Sequence, residues 1–187
     1  KGLEITDMMS TKDFLDASIK NVIKTLFEAI ILVILVVFVF LQSLRSTIIP
    51  TISIIVSLVG TFAFLFVAGF SLNMITLFAL VLVIGTVVDD SIVVVEAVQA
   101  KFDEGYKSPY KAAVDAMGGI ATALVATTFV FMAVFIPVSF MGGTTGTFYT
   151  QFGLTMAVAV GISLLNSLTL SPALCALIMT PHKEVKE

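Results

Sequence analysis

Charge is what this sequence lacks most. Only 12% of its 187 residues are Asp, Glu, Lys or Arg, and 58% are hydrophobic, giving a mean hydropathy of +1.11. A soluble domain carries about a quarter charged residues, so the composition excludes that class and points to an integral membrane protein. No basic patch is present, so no nucleic-acid partner is expected. The single cysteine, Cys175, can form no internal disulfide and lies in an apolar segment, where it reads as a packing residue. The single histidine, His182, lies in a charged tail and reads as solvated. No metal-ligand cluster and no nucleophile–base pair can be assembled, so neither an enzyme nor a cofactor is expected. GGTTGT at 142–147 has the glycines of a phosphate loop, but lacks both the Gly-Lys-Ser/Thr ending and a preceding strand. An initiator methionine and a signal peptide are missing at Lys1, and the expectation is an excerpt from a longer protein.

What is there is long apolar runs. A spanning helix needs about 20 mostly apolar residues, and five segments qualify: 25–44, 48–70, 73–98, 120–141 and 152–179. The expected fold is an all-α integral membrane bundle of five helices. Short connections, Arg-Ser-Thr after the first span and Ser-Leu after the second, make the first three antiparallel neighbours. The longest connection, 99–119, is charged, and its Ser-Pro start followed by apolar residues at helical spacing predicts a short surface helix. Residues 1–24 read as the end of an extramembrane domain leading into the first span, and 182–187 as a tail.

Arg45, Lys101, Lys107, Lys111, Lys183 and Lys186 all fall at one end of the spans, while the turns near Ser71 and from Gly142 to Gln151 carry no Lys or Arg. The basic end is therefore expected to be cytoplasmic. Lys12, Lys20 and Lys24 then lie outside, where a translocated preceding domain overrides their charge. Pro137 is expected to kink the end of the fourth span and Pro172 to bend the fifth, with Gly118-Gly119 and Gly142-Gly143 bracketing the fourth. Gly60, Gly85, Ala123, Ala126, Ala157, Ala159 and Gly161 offer close helix contacts. Phe40, Phe70, Phe140, Tyr106, Tyr110 and Tyr149 fit an interfacial belt.

One stretch breaks the apolar pattern. VVDDSIVVVE, Val87 to Glu96, sets two carboxylates side by side inside the third span. Counted from Asn73, Asp89 and Asp90 lie about 24 Å along the helix, inside a hydrocarbon core of about 30 Å. An ionised Asp there costs about 2.5–3.5 kcal/mol on insertion scales. No Lys or Arg lies in any of the five spans to offset this. Either the compensating cation lies outside these residues or at least one acid is protonated. Desolvation and a like-charged neighbour favour a neutral acid, whereas a nearby lysine favours the ionised form. A pair balanced between these influences can load a proton on one side and release it on the other, so Asp89 and Asp90 are the candidate proton site, with protons as the coupling ion. Adjacent helical residues point about 100° apart, so the two need not touch. Glu96 falls on roughly the face of Asp89, two turns on, as a proton-path residue or an interfacial carboxylate. Glu28 reads as snorkelling to the interface. Asn73, Asn166, Thr127, Thr128 and Thr169 serve helix packing or line a water path.

VVDDSIVVVEAV closely resembles the fourth transmembrane helix of the resistance-nodulation-division exporters, in their hydrophobe/amphiphile efflux branch. KTLFEAIILVILVVFVFLQSLRSTIIPT, GTFAFLFVAGFSLNMITLFALVLVIGTVVDD and FMGGTTGTFYTQFGLTMAVAVGISLLNSLTLSPALCALIM extend the resemblance along nearly the whole chain, as helices two to six in order. It implies one half of an exporter's transmembrane domain, in a homotrimeric pump of the bacterial inner membrane that exchanges protons for drugs, dyes, bile salts or detergents. It also implies a periplasmic adaptor and an outer-membrane channel as partners, and membrane lipid around it. Asp89 and Asp90 match the family's proton-relay aspartates, whose lysine partner sits on a helix of the second half. The metal-efflux branch has one aspartate at this place, so the doubled acid favours the hydrophobe/amphiphile branch. Ala97 stands where asparagine is usual. The alternatives are a metal-ion or lipid exporter of the same superfamily, a proton-driven protein-translocation accessory, or a non-transporting membrane scaffold.

Overall fold

The computed structural model describes residues 11–70, 73–143 and 145–181, and the side chains from Asp16 onward. Its elements are all helical: α1 (Thr11–Leu41), α2 (Leu44–Val67), α3 (Met74–Asp103), α4 (Pro109–Ser139), α5 (Gly146–Leu168) and α6 (Leu170–Ile178). Taking α5 and α6 together, five segments are long and apolar enough to cross a membrane. The expectations for residues 1–10, the Ser-Leu turn at 71–72 and the tail with His182 lie outside the described residues.

Local chemistry sets each helix end. Ser43 caps α2 by accepting from the Ser46 amide. Asn73 caps α3 in a reciprocal box with Thr76. Ser108 caps α4 ahead of Pro109, whose fixed φ suits the first turn and whose missing N–H is no loss there. Gly69 and Gly105 close α2 and α3 at φ +71° and +97°. In each case the following residue reaches back to the last turn, Phe70 N–H to Leu65 O at 2.9 Å and Tyr106 N–H to Lys101 O at 3.1 Å.

These ends correct the sequence-based boundaries. The first turn is Gln42-Ser43, so Arg45, Ser46 and Thr47 belong to α2, because Ser43 supplies the cap. The connection expected over 99–119 shrinks to 104–108, and the separate surface helix does not exist: α4 runs unbroken from Pro109. Gly118-Gly119 lies inside α4 instead of bracketing a span. A helical glycine costs about 1 kcal/mol relative to alanine, but buried Ala112, Ala113 and Ala116 hold this first third of α4 in the core beside Val94, Val98 and Phe102. The fifth span starts earlier than expected, at Gly146, and breaks at Thr169. Proline removes an N–H and crowds the carbonyl four residues back, and α5 ends at Leu168, four residues before Pro172. The expected bend is thus a break between two helices. The α4 helix ends two residues beyond Pro137.

The central helices are α2, α3 and α5, and α1 and α4 lie outside them; half of the best apolar window of α3 is buried, against 11% for α1 and α4. Exposed Ile31, Leu35, Val39, Phe129, Val130 and Val134 make the outer faces of α1 and α4 apolar, as suits hydrocarbon. Gly60 meets Ile162 and Gly161 meets Met132, while Gly85 meets no neighbour within 4 Å and Ala123 and Ala126 are exposed. The tightest approach is one the composition does not advertise. At Gly153, a Cβ would stand 2.7 Å from Phe135 O and 2.9 Å from Ser139 N, both backbone atoms of α4.

Gly153→Ala is therefore expected to lower the melting temperature of the full-length protein in detergent, through an overpacking cost of about 1–3 kcal/mol. Gly118→Ala, with nothing within 4 Å, is expected to leave it unchanged or raise it. A melting temperature for Gly153→Ala equal to that of the wild type would refute the close approach.

Candidate proton site

Asp89 and Asp90 stand at the middle of α3, and the helix sends them to different surroundings. Asp90 is partly buried against α5, where its Oδ2 accepts a hydrogen bond from Ser163 Oγ at 2.7 Å. Asp89 lies on an open stripe of α3. Phe78, Leu82, Gly85, Asp89, Val93 and Glu96 are all exposed, and their spacing of three or four residues puts them on one face. Glu96 thus shares the face of Asp89, as its spacing predicts. It also lines a cleft of about 920 Å³ at the basic end, together with Arg45, Gln99 and Asp103.

Among the described residues, ion pairs join Lys24 to Glu28 and Lys101 to Glu104, and none reaches Asp89 or Asp90. The α5–α6 segment carries no Asp, Glu, Lys or Arg at all, and α2 carries only Arg45, at its first turn. Arg45 is turned away from the acids, donating to Thr180 Oγ1 at 2.9 Å. Glu28 sits with Lys24 on an exposed face of α1.

The polar residues named from sequence separate into two groups. Thr127 bonds a carbonyl of its own helix, and Thr169 bonds the Leu165 carbonyl in the last turn of α5. Asn73 caps α3 and also donates to Gln151, tying the start of α3 to that of α5. Asn166 crosses from α5 to α2, donating to Ser57 Oγ at 2.7 Å in the buried core. Sequence reasoning missed its companions: Ser163 beside Asp90, and Ser53, which pairs with Ser171 at 3.1 Å. The signal was present in the spacing of Ser53, Ser57 and Thr61, four residues apart and each fully buried.

At the basic end, outside the spans, the phenol of Tyr106 is held above its usual range, first by a hydrogen bond to Asp115 and then by the charge of that carboxylate. The contact ties the α3–α4 turn to α4. Cys175 is a free, buried thiol in the apolar core, as a packing residue should be.

An all-helical bundle with five segments of spanning length, and an acid at mid-helix that meets a serine of a neighbouring helix, is the build of a multi-pass membrane protein. Comparison with known proteins gives the family. The AcrB/AcrD/AcrF family matches along residues 1–187. The multidrug export protein AcrF of Escherichia coli K12 is 47% identical over 181 residues, covering 97% of this chain and 18% of AcrF. The toluene efflux pump membrane transporter TtgE of Pseudomonas putida is 45% identical over 179 residues, 96% of this chain and 17% of TtgE. The multidrug resistance protein MdtF of Escherichia coli K12 is 48% identical over 174 residues, 93% of this chain and 17% of MdtF. The chain belongs to the AcrB/AcrD/AcrF family of resistance-nodulation-division exporters, and spans less than a fifth of the length of these relatives.

The Ser57–Asn166 pair supplies a stability test. Ser57→Ala leaves a buried amide donor unpaired and is expected to cost about 1–3 kcal/mol, whereas replacing both partners, with Asn166→Leu added, costs less than the sum of the single changes. Thermal melts of the two single variants and the double variant of the full-length protein measure the coupling. Strict additivity would show that the bond does not form.

Proposed function

We propose that this segment carries the proton-coupling site of an exporter of hydrophobic and amphiphilic compounds. The carrying observation is a carboxylate pair at mid-span with no cation within ion-pair distance among the described residues. An ionisable residue in a membrane span marks an ion or proton pathway by default. Moving one charge through 100 mV yields about 2.3 kcal/mol, so a proton taken up at Asp89 or Asp90 from one side and released to the other is a usable energy input. The relatives' names, multidrug export and toluene efflux, support the substrate class.

In this reading the open stripe of α3 around Asp89 is covered by the second half of the transmembrane domain, which brings the compensating lysine. Proton binding then changes which packing of the two halves is stable. Glu96, on the same face and in the cleft at the basic end, lies on the proton's way to the cytoplasm. The pump works as a homotrimer in the bacterial inner membrane, basic end inward, and engages a periplasmic adaptor and an outer-membrane channel through regions beyond these residues. It performs transport without covalent chemistry and takes no cofactor other than the coupling proton.

Dye efflux from cells making the full-length protein tests this. Asp89→Asn and Asp90→Asn, each matched to wild type for membrane abundance, are expected to abolish efflux, because asparagine keeps the shape and loses the exchangeable proton. Normal pumping by both variants would make the acids structural and end the coupling proposal.

A further inference from the structure

The cleft of about 920 Å³ at the basic end is walled by the α1–α2 turn, the last turns of α3 and the residues that follow α6. Its walls carry charge of both signs. Glu96, Gln99 and Asp103 recur at helical spacing along one face of α3, and Arg45 lines the same cleft from the first turn of α2. Neither the two carboxylates nor the guanidinium has an ion pair among the described residues. Arg45 donates to the neutral hydroxyl of Thr180 at 2.9 Å, and Asp103 takes the amide of Gln99 at 3.5 Å. Opposite charges thus share one cleft and stay beyond ion-pair distance of each other.

The turn adds a separate sign. Gln42 holds φ +47°, and is the one non-glycine residue in the left-handed region among those described. Glycine would close α1 there with less strain; the chain instead puts an amide-bearing residue in the cleft wall. Level and opening narrow the occupant. Glu96 stands about 33 Å along α3 from Met74, past a hydrocarbon core of about 30 Å, so the cleft lies at the depth of lipid headgroups. Phe40 also lines it and is 75% exposed on α1, an outer helix whose best apolar window is 11% buried. The cleft therefore opens toward lipid.

We propose that this cleft binds the headgroup of an aminophospholipid from the leaflet at the basic end, with its phosphate on Arg45, its primary ammonium on Glu96 and Asp103, and its acyl chains leaving past Phe40. The chemistry selects such a headgroup over its commoner alternatives. Arg45 calls for an anion, and a phosphate accepts both arms of a guanidinium. The two carboxylates call for a cation with N–H groups to give. A primary ammonium joined to a phosphate by a short linker meets both demands in one molecule. A trimethylated ammonium keeps the charge but has no N–H to donate, and a glycerol headgroup has no cation at all. Polar pockets between helices at a membrane surface are a known way of holding particular headgroups. The site makes no use of Asp89 or Asp90, so it stands or falls separately from proton coupling.

Native mass spectrometry of the full-length protein, delipidated in detergent and titrated with dioleoyl lipids, tests this. Phosphatidylethanolamine should bind about tenfold more tightly than phosphatidylcholine or phosphatidylglycerol. Arg45→Gln, and separately the double change Glu96→Gln/Asp103→Asn, should each remove that preference. Equal affinity for the three lipids, or a preference that survives both variants, overturns the proposal. Free phosphoethanolamine binding as tightly as the lipid would reassign the cleft to a soluble zwitterion and overturn the lipid. A cryo-EM map of the same protein in phosphatidylethanolamine nanodiscs then locates the ligand. Headgroup density between Arg45 and Asp103 that continues past Phe40 supports the site, whereas a helix from elsewhere in the full-length chain filling the cleft overturns it.

Discussion

A carboxylate in hydrocarbon has to be answered by something, and the arrangement of the central helices follows from how this chain answers it. Asp90 is not left to lipid. It meets Ser163 on α5, and that contact fixes which face of α5 looks at α3. Once that face is chosen, Asn166 and Ser167 follow one turn along it, and Ser57 and Ser53 of α2 come opposite Asn166 and Ser171. The three central helices are thus registered by small polar side chains spread over about 12 Å of α5–α6, and by apolar packing around them. Apolar packing alone is a weak guide to register inside a membrane, where the surrounding lipid is as apolar as the core. A hydrogen bond between two named atoms is a strong one.

The same contact makes the two acids inequivalent. A rotation of about 100° between neighbours is enough to send one inward and one outward. Asp90 has a hydroxyl donor within the chain, whereas Asp89 shares an exposed stripe with Gly85 and Glu96. A site built this way has one acid tied to the bundle's interior and one offered to whatever covers α3. The two carboxylates therefore belong to two different surfaces of α3. A pair pointing the same way would share one.

Much of this was legible beforehand, for reasons of scale. Twenty-residue apolar runs are a coarse signal, so the number of spans and the all-helical class survive errors of several residues at each end. The acids announced themselves by their cost. What the residues hid is finer. Ser43 reads as the end of the first span until its cap is seen, which displaced the first turn by three residues. Gly118-Gly119 reads as a boundary, but burial of Ala112, Ala113 and Ala116 outweighs two weak helix formers. Gly153 looks like any other glycine in a span, because its meaning lies in the α4 backbone opposite it. Serine was the largest miss. In an apolar span it passes as a small residue, and only pairing across helices separates Ser53, Ser57 and Ser163 from filler.

Serine also suits this position better than a larger polar residue would. It costs little volume, so the three helices stay close where they cross, and its hydroxyl can donate, accept or do both. Asparagine occurs once among these contacts, at Asn166, where an amide can reach across to α2. A set of hydroxyls joined by single hydrogen bonds, each worth about 0.5–1.5 kcal/mol net, fixes register without locking it. The apolar blocks on either side are close-packed and resist deformation. The polar contacts are therefore the part of the interface between α5 and its two neighbours that is least fixed by close packing, and the one at Asp90 is among them.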